Sequence, residues 1–544
     1  MNSKRALLVS ILCAASWGVG LAHPAAHNLF PTNPFFLPEY CSGYFNDGSA
    51  SDGCTTALVS GRVTVDGRPL LWKNRDVHGW DQEFVYDDTG LYTFIGMTYA
   101  GVTDQNWGGV NEVGFAIGNA NAWNLPDHVP GDDDDGIIIK QALQTCVTVD
   151  DFEDIMDSTN STGRTRPAIY EVMDAYGGLA LFEAADWFYD RIDVSDSSEV
   201  PEGYAVRANF SYNGSSSSHV GQHRHDRAIA LIDTVITYNE LTEKYIMREV
   251  ARDLVTPDID PYPLPWMETQ GSYDPGFIEI HDAICRDITT SLFVIQGILP
   301  GEDPLLSTMW VMAGEPTHTI ATPLWVHAGR VPEVIDGDST SALCDRVLEI
   351  RTTTYDTTLG EDVLDLWSFV DPRGGGLFEW LHPMEDGFLQ VTTDSLSNWR
   401  NSLPSPASMA ALQDTLANKT FRRLQAWAPP IAPTNLIAYA AQGGIHLRWD
   451  PVTEDIFGRP LNVLGYKIYS QQMPFEHRDI GEYVAATPNN FYNLGFNFPH
   501  QVQYYQVTAF TEDIDVIHTL RILNEYRPWN HVDSTSFGDS KDFH

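Results

Sequence analysis

Cations are scarce in this chain. Its 544 residues carry 32 Lys and Arg against 74 Asp and Glu, a formal net charge of −42. A surface that negative repels phosphate backbones and anionic lipid, which argues against a nucleic-acid partner and against a membrane surface. Cysteine is scarce too: six residues are too few for a disulfide scaffold, though enough for one or two bridges. Past the first residues, no apolar run is long enough to be a membrane helix. Several catalytic signatures are missing: Gly-x-Ser-x-Gly, His-Glu-x-x-His, a Walker loop, and Gly-x-Gly-x-x-Gly after a strand. Their absence weakens the case for a serine hydrolase, a zinc protease or a nucleotide enzyme. No internal repeat is present. What is plentiful is core-forming material, 43% hydrophobic and 12% aromatic. That excludes global disorder, and the length suggests two to four domains.

The first 22 residues have the order of a secretory signal: Lys4 and Arg5, an apolar run from Ala6 to Trp17, then Gly20, Leu21 and Ala22. Cleavage is expected after Ala22, with a secreted or periplasmic mature protein. That leaves Cys41, Cys54, Cys146, Cys285 and Cys344, an odd count with at least one unpaired thiol. Two bridges are entertained, Cys41 with Cys146 and Cys285 with Cys344.

Residues 23–53 read as an irregular leader. Thr55–Val65 is β-rich, Asp66-Gly67 is a hairpin signal, and Arg68–Asn74 reads as the returning strand. Further strands are expected at Leu91–Tyr99, Val113–Gly118, Ala168–Asp174, Leu179–Glu183 and Ala205–Asn209. Helices are expected at Gly136–Cys146, Val149–Asp157 and Arg224–Leu254. Strands and helices fall in separate clusters, which points to α+β layers. Trp399–Trp427 reads as a polar helical connector, followed by a Pro-rich linker at Ala428–Pro433. Beyond it, short strands separated by turn residues fit an all-β sandwich. The expected organisation is a signal (1–22), a leader (23–53), a catalytic domain (54–400), a linker (401–429), a sandwich (430–521) and a tail (522–544).

Two metal-like features favour plainer readings. Asp132–Asp135 between two glycines reads as a solvated acidic turn, and His223-x-His225 lacks a partner at ligand spacing. No metal and no cofactor are expected. The informative segment is Asp52-Gly53-Cys54-Thr55-Thr56. The hairpin returns Lys73, Asn74, Arg75 and Asp76 towards Cys54. A thiol beside a carboxylate and one or two cations can be a tuned nucleophile. Pairing of Cys54 in a disulfide is an equal reading from spacing alone.

The segment GCTTALVSGRVTVDGRPLLWKNRD resembles the start of the mature chain in cysteine N-terminal nucleophile (Ntn) hydrolases, in particular the acyl-CoA:isopenicillin N acyltransferase-like and choloylglycine hydrolase-like family. Gly109–Ile117, then Asn119 and Asn121, Asp174–Gly178 with Glu183, Tyr204–Asn209 and Arg227 resemble further family elements in family order. The resemblance covers residues 53–335. It implies a four-layer αββα sandwich and self-cleavage between Gly53 and Cys54. It also implies a linear amide, a small molecule, as substrate, passing through an acyl-cysteine. Cys54 would be the nucleophile with its own α-amino group as base. Asp76 would orient that amine, Asn209 with Asn119 or Asn121 would stabilise the oxyanion, and Arg227 would hold a carboxylate. Lys73, Arg75 and Thr56 would contact substrate. Lys73 stands where the bile-salt branch has arginine, which puts bidentate anion recognition at that position in doubt. Each Asn could equally cap a turn, and Arg227 could be an ordinary helix charge.

The C-terminal region is similar to a fibronectin type III domain, on Pro433–Leu436, Trp449-Asp450-Pro451, Gly465–Tyr469 and Tyr504–Ala509. Such a module implies a spacer or a docking surface, with contact to a cell surface or polysaccharide. Competing readings are a dipeptidase of the same superfamily and a non-catalytic binding or adhesion protein that uses the sandwich.

Overall fold

The computed structural model describes residues 52–511, except 217–218, 265–269, 272, 338–339, 361, 372–375, 442, 473–480 and 496–503. The expected signal, the leader up to residue 51, Cys41 and the tail lie outside the described residues.

The first strand, β1 (Gly53–Val59), pairs antiparallel with β2 (Leu70–Asp76). The chain then builds a seven-stranded antiparallel meander in sequence order: β3 (Gln82–Asp87), β4 (Phe94–Tyr99), β5 (Gly108–Asn111), β6 (Ala116–Asn121), β7 (Ala168–Met173), β8 (Leu179–Ala184) and β9 (Tyr189–Asp193). Helices α1 (Asp135–Thr145) and α2 (Val149–Thr162) lie between β6 and β7. Strand β10 (Tyr204–Arg207) returns to the free side of β1, and α3 (Gln222–Tyr238) follows. After β11 (Phe277–Glu279), strands β12 (Thr289–Gln296), β13 (Thr308–Ala313) and β14 (Thr322–Leu324) complete a six-stranded sheet of order β10-β1-β2-β12-β13-β14. A small β15 (Val363–Asp365) pairs with β11. Helices α4 (Ala342–Arg351), α5 (Leu377–Trp399) and α6 (Pro406–Ala426) follow.

The two-residue period of strands sorts these sheets into faces. Leu58 and Leu71 of the six-stranded sheet share one apolar cluster with Ile95, Ile169 and Leu181 of the meander, so the two sheets pack face to face. Ala57, Val59, Leu70 and Trp72 point the other way, into a cluster with Ala228, Leu231 and Val235 of α3. Phe94, Ile117 and Phe182 of the meander pack outward on Ile139, Leu143 and Phe152 of α1 and α2. Each fully buried Leu, Ile, Val or Phe among them favours folding by about 1.5–3 kcal/mol. The sheets approach closely at Gly118, where an added Cβ would lie 3.2 Å from both Leu71 and Phe293.

Three expectations are revised. Strand β1 stops at Val59, and residues 60–69 form the turn, because the backbone at Gly61 is crowded against Gly67. Helix α3 stops at Tyr238, because Asn239 takes a left-handed conformation (φ 55°) that ends it; Thr242 then caps a new short helical turn. Residues 406–426 are helical as expected, yet they are no mere connector. Helix α6 buries Leu416, Ala417 and Leu424 in the inter-sheet cluster and Met409 and Ala410 against Trp325.

The C-terminal region has two three-stranded antiparallel sheets. One comprises β16 (Ile437–Ala441), β17 (Gly444–Arg448) and β20 (Phe491–Asn493). The other comprises β18 (Gly465–Gln471), β19 (Glu482–Thr487) and β21 (Tyr504–Phe510). Leu447, Trp449, Tyr466, Ile468 and Val507 form their shared core. The hydroxyl of Tyr466 accepts the Val452 N–H at 3.0 Å.

Candidate active site

The register of β1 on β2 is Gly53↔Asp76, Cys54↔Arg75 and Thr56↔Lys73. Alternation therefore puts Cys54, Thr56, Lys73 and Arg75 on the face of Leu58 and Leu71, between the sheets. Thr55, Asn74 and Asp76 share the face of Ala57 and Trp72, beneath α3.

On the α3 side, Asp76 is fully buried. Its carboxylate accepts from Arg224 Nη1 at 3.1 Å and from Thr289 Oγ1 at 2.8 Å, and Arg286 Nη1 stands 3.9 Å away. Burial pushes this carboxyl up, and the two arginines and Thr289 oppose the rise. Arg224, in the first turn of α3, also donates to the Cys54 carbonyl, Thr55 Oγ1 and Asn209 Oδ1 at 2.8, 2.8 and 2.9 Å. Burial lowers its guanidinium to about 10. Asn209 Oδ1 accepts the Cys54 N–H at 3.0 Å, and its Nδ2 donates to the Asn121 carbonyl at 3.1 Å. The flank of Gly53 is filled by these groups. A Cβ there would lie 2.6 Å from Asn209 Oδ1, 3.3 Å from Arg224 Nη2 and 3.4 Å from Arg286 Nη1.

On the inter-sheet side, Lys73 Nζ donates to Asn119 Oδ1 at 2.6 Å and to the Trp107 carbonyl at 2.9 Å. Burial lowers its ammonium below the usual lysine range. Arg75 donates to Gln82 Oε1 at 2.6 Å, and its guanidinium lies 4.1 Å from each of the Tyr99 and Trp107 ring centres. Thr56 Oγ1 donates to Glu171 Oε1, while Glu171 Oε2 is buried with no hydrogen-bond partner. Burial raises the Glu171 carboxyl to about 7, against the Thr56 hydrogen bond and Lys73.

The described cysteines, Cys54, Cys146, Cys285 and Cys344, are all free and buried. The Cys285–Cys344 bridge is therefore corrected: Cys344 Sγ instead donates to the Trp80 carbonyl at 3.1 Å. Burial lifts Cys146 and Cys344 to about 12. It lifts Cys54 as well, and the Asp76 charge adds to the rise. Here, however, Lys73, Arg75 and the Asp76 N–H pull the thiol back down. Cys54 is thus the thiol among these with a cationic setting suited to reactivity.

The structure brings Gly53, Cys54, Asp76 and Asn209 together around one peptide bond. It does not bring in Arg227, which pairs with Asp253 through Nε and Nη2 at 3.0 and 2.7 Å. Arg224, one turn earlier, occupies the place expected of Arg227. Asn119 is not aimed at Cys54: its amide bridges Lys73 and Asp135, whose carboxylate accepts at 2.8 Å. Asn121 enters through its backbone carbonyl. Arg75 bonds Gln82 and Thr56 bonds Glu171. Arg224, Arg286, Thr289 and Glu171 escape the sequence reading. Only Arg224 had a signal, since it lies three residues before Arg227 on the same helix.

Among the described residues no cluster of His, Cys, Asp and Glu could hold a metal ion, and no helix is long and apolar enough to cross a membrane. His225 bonds Tyr212 and Asp226, and Asp134 accepts from the Thr165 and Arg166 N–H groups.

No protein-family model and no curated protein matches the chain. Among solved structures, the chain is similar to two variants of conjugated bile acid hydrolase from Clostridium perfringens. They share 10% and 11% identity, with TM-scores of 0.30 and 0.31, over 50% of this chain and 92% of each of those. It is also similar to penicillin V acylase from Agrobacterium tumefaciens, at 11% identity and a TM-score of 0.30, over 53% of this chain and 88% of that one.

Proposed function

We propose that the chain is a cysteine Ntn hydrolase that cuts itself between Gly53 and Cys54 and then cleaves a linear amide through an acyl-Cys54 thioester, passing the acyl group to water or to an acceptor amine. The observation that carries this reading is the linked set around Cys54, a free thiol at the end of a strand: Asn209 Oδ1 holds the Cys54 N–H, and Arg224 joins the Cys54 carbonyl to Asn209 and to Asp76. The helix, sheet, sheet, helix order of the apolar clusters supports an αββα sandwich of the Ntn type.

Once freed, the Cys54 α-amino group has an ordinary pKa of about 7.7–8.0 and can take the proton of its own thiol. The thiolate attacks the amide carbonyl. Asn209 Nδ2 has a second N–H beyond the one given to Asn121, and it donates that one to the tetrahedral oxyanion. Collapse expels the amine, and a second addition releases the acid or the new amide. Asp76, fixed by Arg224, Arg286 and Thr289, orients the terminal amine. The signal-like order of residues 1–22 fits export, and the two C-terminal sheets with their Trp449 core fit a fibronectin type III-like spacer or docking module.

Intact-mass analysis of the purified protein tests the reading. A chain beginning at Cys54 is expected, and Cys54→Ala should remain uncut and inactive on N-acyl amino acids, bile-salt conjugates and penicillins. A wild-type protein with no such chain, or an active Cys54→Ala, overturns it.

A further inference from the structure

Before the cut, the Cys54 nitrogen is an amide. It has no basicity, and its N–H is given to Asn209 Oδ1. The α-amine that serves the finished enzyme is therefore unavailable for the step that makes it. Asp76 is poorly placed to substitute. It lies on the opposite face of the sheet by strand alternation, and both its oxygens are engaged by Thr289 and Arg224. Arginines do not give up their protons in this role. Something else must take the thiol proton in the uncut chain.

We propose that Lys73 is that group: as a neutral amine it takes the proton from Cys54, and as an ammonium it hands the proton to the Cys54 nitrogen when the Gly53–Cys54 bond breaks. This rests on the self-cleaving reading given above and adds a catalytic residue to it.

The placement carries the argument. Lys73 opposes Thr56, so it is the diagonal neighbour of Cys54 on the same face, a separation that long side chains bridge. Its side chain is fully buried, and two acceptors hold Nζ, Asn119 Oδ1 and the Trp107 carbonyl. Asn119 is itself fixed by Asp135, which keeps its oxygen towards Lys73. A neutral amine has two N–H bonds, and these acceptors satisfy both. The remaining tetrahedral corner is then a lone pair in the neutral form and an N–H in the charged form. Cys54 is the charge partner that acts most strongly on Lys73.

The other charged groups facing Lys73 come from three elements: Arg75 on β2, Asp135 on α1 and Glu171 on β7. Arg75 and burial favour the neutral amine, whereas Asp135 and Glu171 favour the ammonium. The protons and bonds balance. Lys73 NH2 and Cys54 SH become NH3+ and S−. The thiolate adds to the Gly53 carbonyl, the C–N bond breaks, and Lys73 protonates the leaving nitrogen. Water then hydrolyses the Gly53 thioester, giving a Gly53 carboxylate and a free Cys54 with its thiol and amine.

Arginine at this position would keep the positive charge but could not carry the proton. The experiment follows chains beginning at Cys54 by intact mass, from about pH 6 to pH 9, in wild type, Lys73→Arg and Lys73→Ala. Both variants should process at least about 100-fold more slowly than wild type near pH 7. The Lys73→Arg rate should then climb about tenfold per pH unit, as hydroxide replaces the missing base. Added methylamine should restore Lys73→Ala processing in proportion to the neutral amine, a response that a structural role would not produce. Lys73→Arg processing within threefold of wild type at every pH overturns the role of Lys73 alone. So does a Lys73→Ala that folds, stays uncut and ignores methylamine. A wild-type chain that never yields Cys54 at its terminus overturns the self-cleaving reading itself.

Discussion

The two faces of the β1–β2 hairpin differ in kind. Beneath α3, Asp76 is clamped by Arg224, Arg286 and Thr289, and Asn209 holds the Cys54 N–H: these are charges and dipoles that hold one another in place. Between the sheets stand a thiol, a lysine whose ammonium is lowered by burial and a carboxyl raised to about 7. Those are groups whose protons can move. Strand alternation alone separates the two sets, since neighbours in sequence such as Arg75 and Asp76 fall on opposite sides. The lesson is that a two-residue period can divide one hairpin into a face of paired charges and a face of groups shifted toward neutrality.

That contrast can be broken. The largest effect is expected from Arg224→Met. Removing its nearest ion-pair partner leaves buried Asp76 with only Thr289 and the more distant Arg286, and should cost up to about 3–5 kcal/mol, read as a lower urea midpoint, together with loss of processing. Glu171→Gln tests the opposite face through its pH dependence. The folded carboxyl sits near 7, above its ordinary 4.5, so the fold favours the protonated form. Its stabilising contribution is full below about pH 4.5 and is lost as pH rises to about 7, a change on the order of 3 kcal/mol. In Glu171→Gln that slope should flatten across this window, measured by unfolding at fixed pH values. Gly53→Ala should cost about 1–3 kcal/mol through overpacking against Asn209 and slow the cut at the same time. The smallest effect on processing is expected from Arg227→Lys. Its partner is Asp253 rather than the hairpin, so the rate of appearance of chains beginning at Cys54 should stay within threefold of wild type.

Much of this hairpin was legible in the sequence. Asp66-Gly67 and the flanking β-rich runs signal an antiparallel return, but the register comes from the longer turn over residues 60–69: Arg75 lies opposite Cys54, where a two-residue turn at Asp66-Gly67 would have put Gly79. What the residues do across the sheet is less legible. Arg224 and Arg227 are alike in type and three apart on one helix. Which one faces β1 depends on how α3 is set, and its N-cap, Gly221, offers no side-chain capping signal. Asn119 resembles a pocket residue in its segment, yet its role is set by Lys73 and Asp135, which come from distant parts of the chain. Glu171 lies in an otherwise apolar strand and is far in sequence from Thr56. The packing of α6 was hidden for a related reason. Its exposed face is polar enough to read as a connector, and its buried face meets partners such as Trp325 that sequence spacing does not reveal.

Asn209 Oδ1 accepts a hydrogen from the Cys54 nitrogen, and a carbonyl oxygen does so whether that nitrogen belongs to an amide or to an amine. The anchor is therefore indifferent to the state of the bond beside it. A scaffold of this kind can change its covalent connectivity without relearning its shape: on the proposed self-cleaving reading, the groups that align the chain for its own scission stay in register for every later substrate, and the first reaction serves as a rehearsal of all the others.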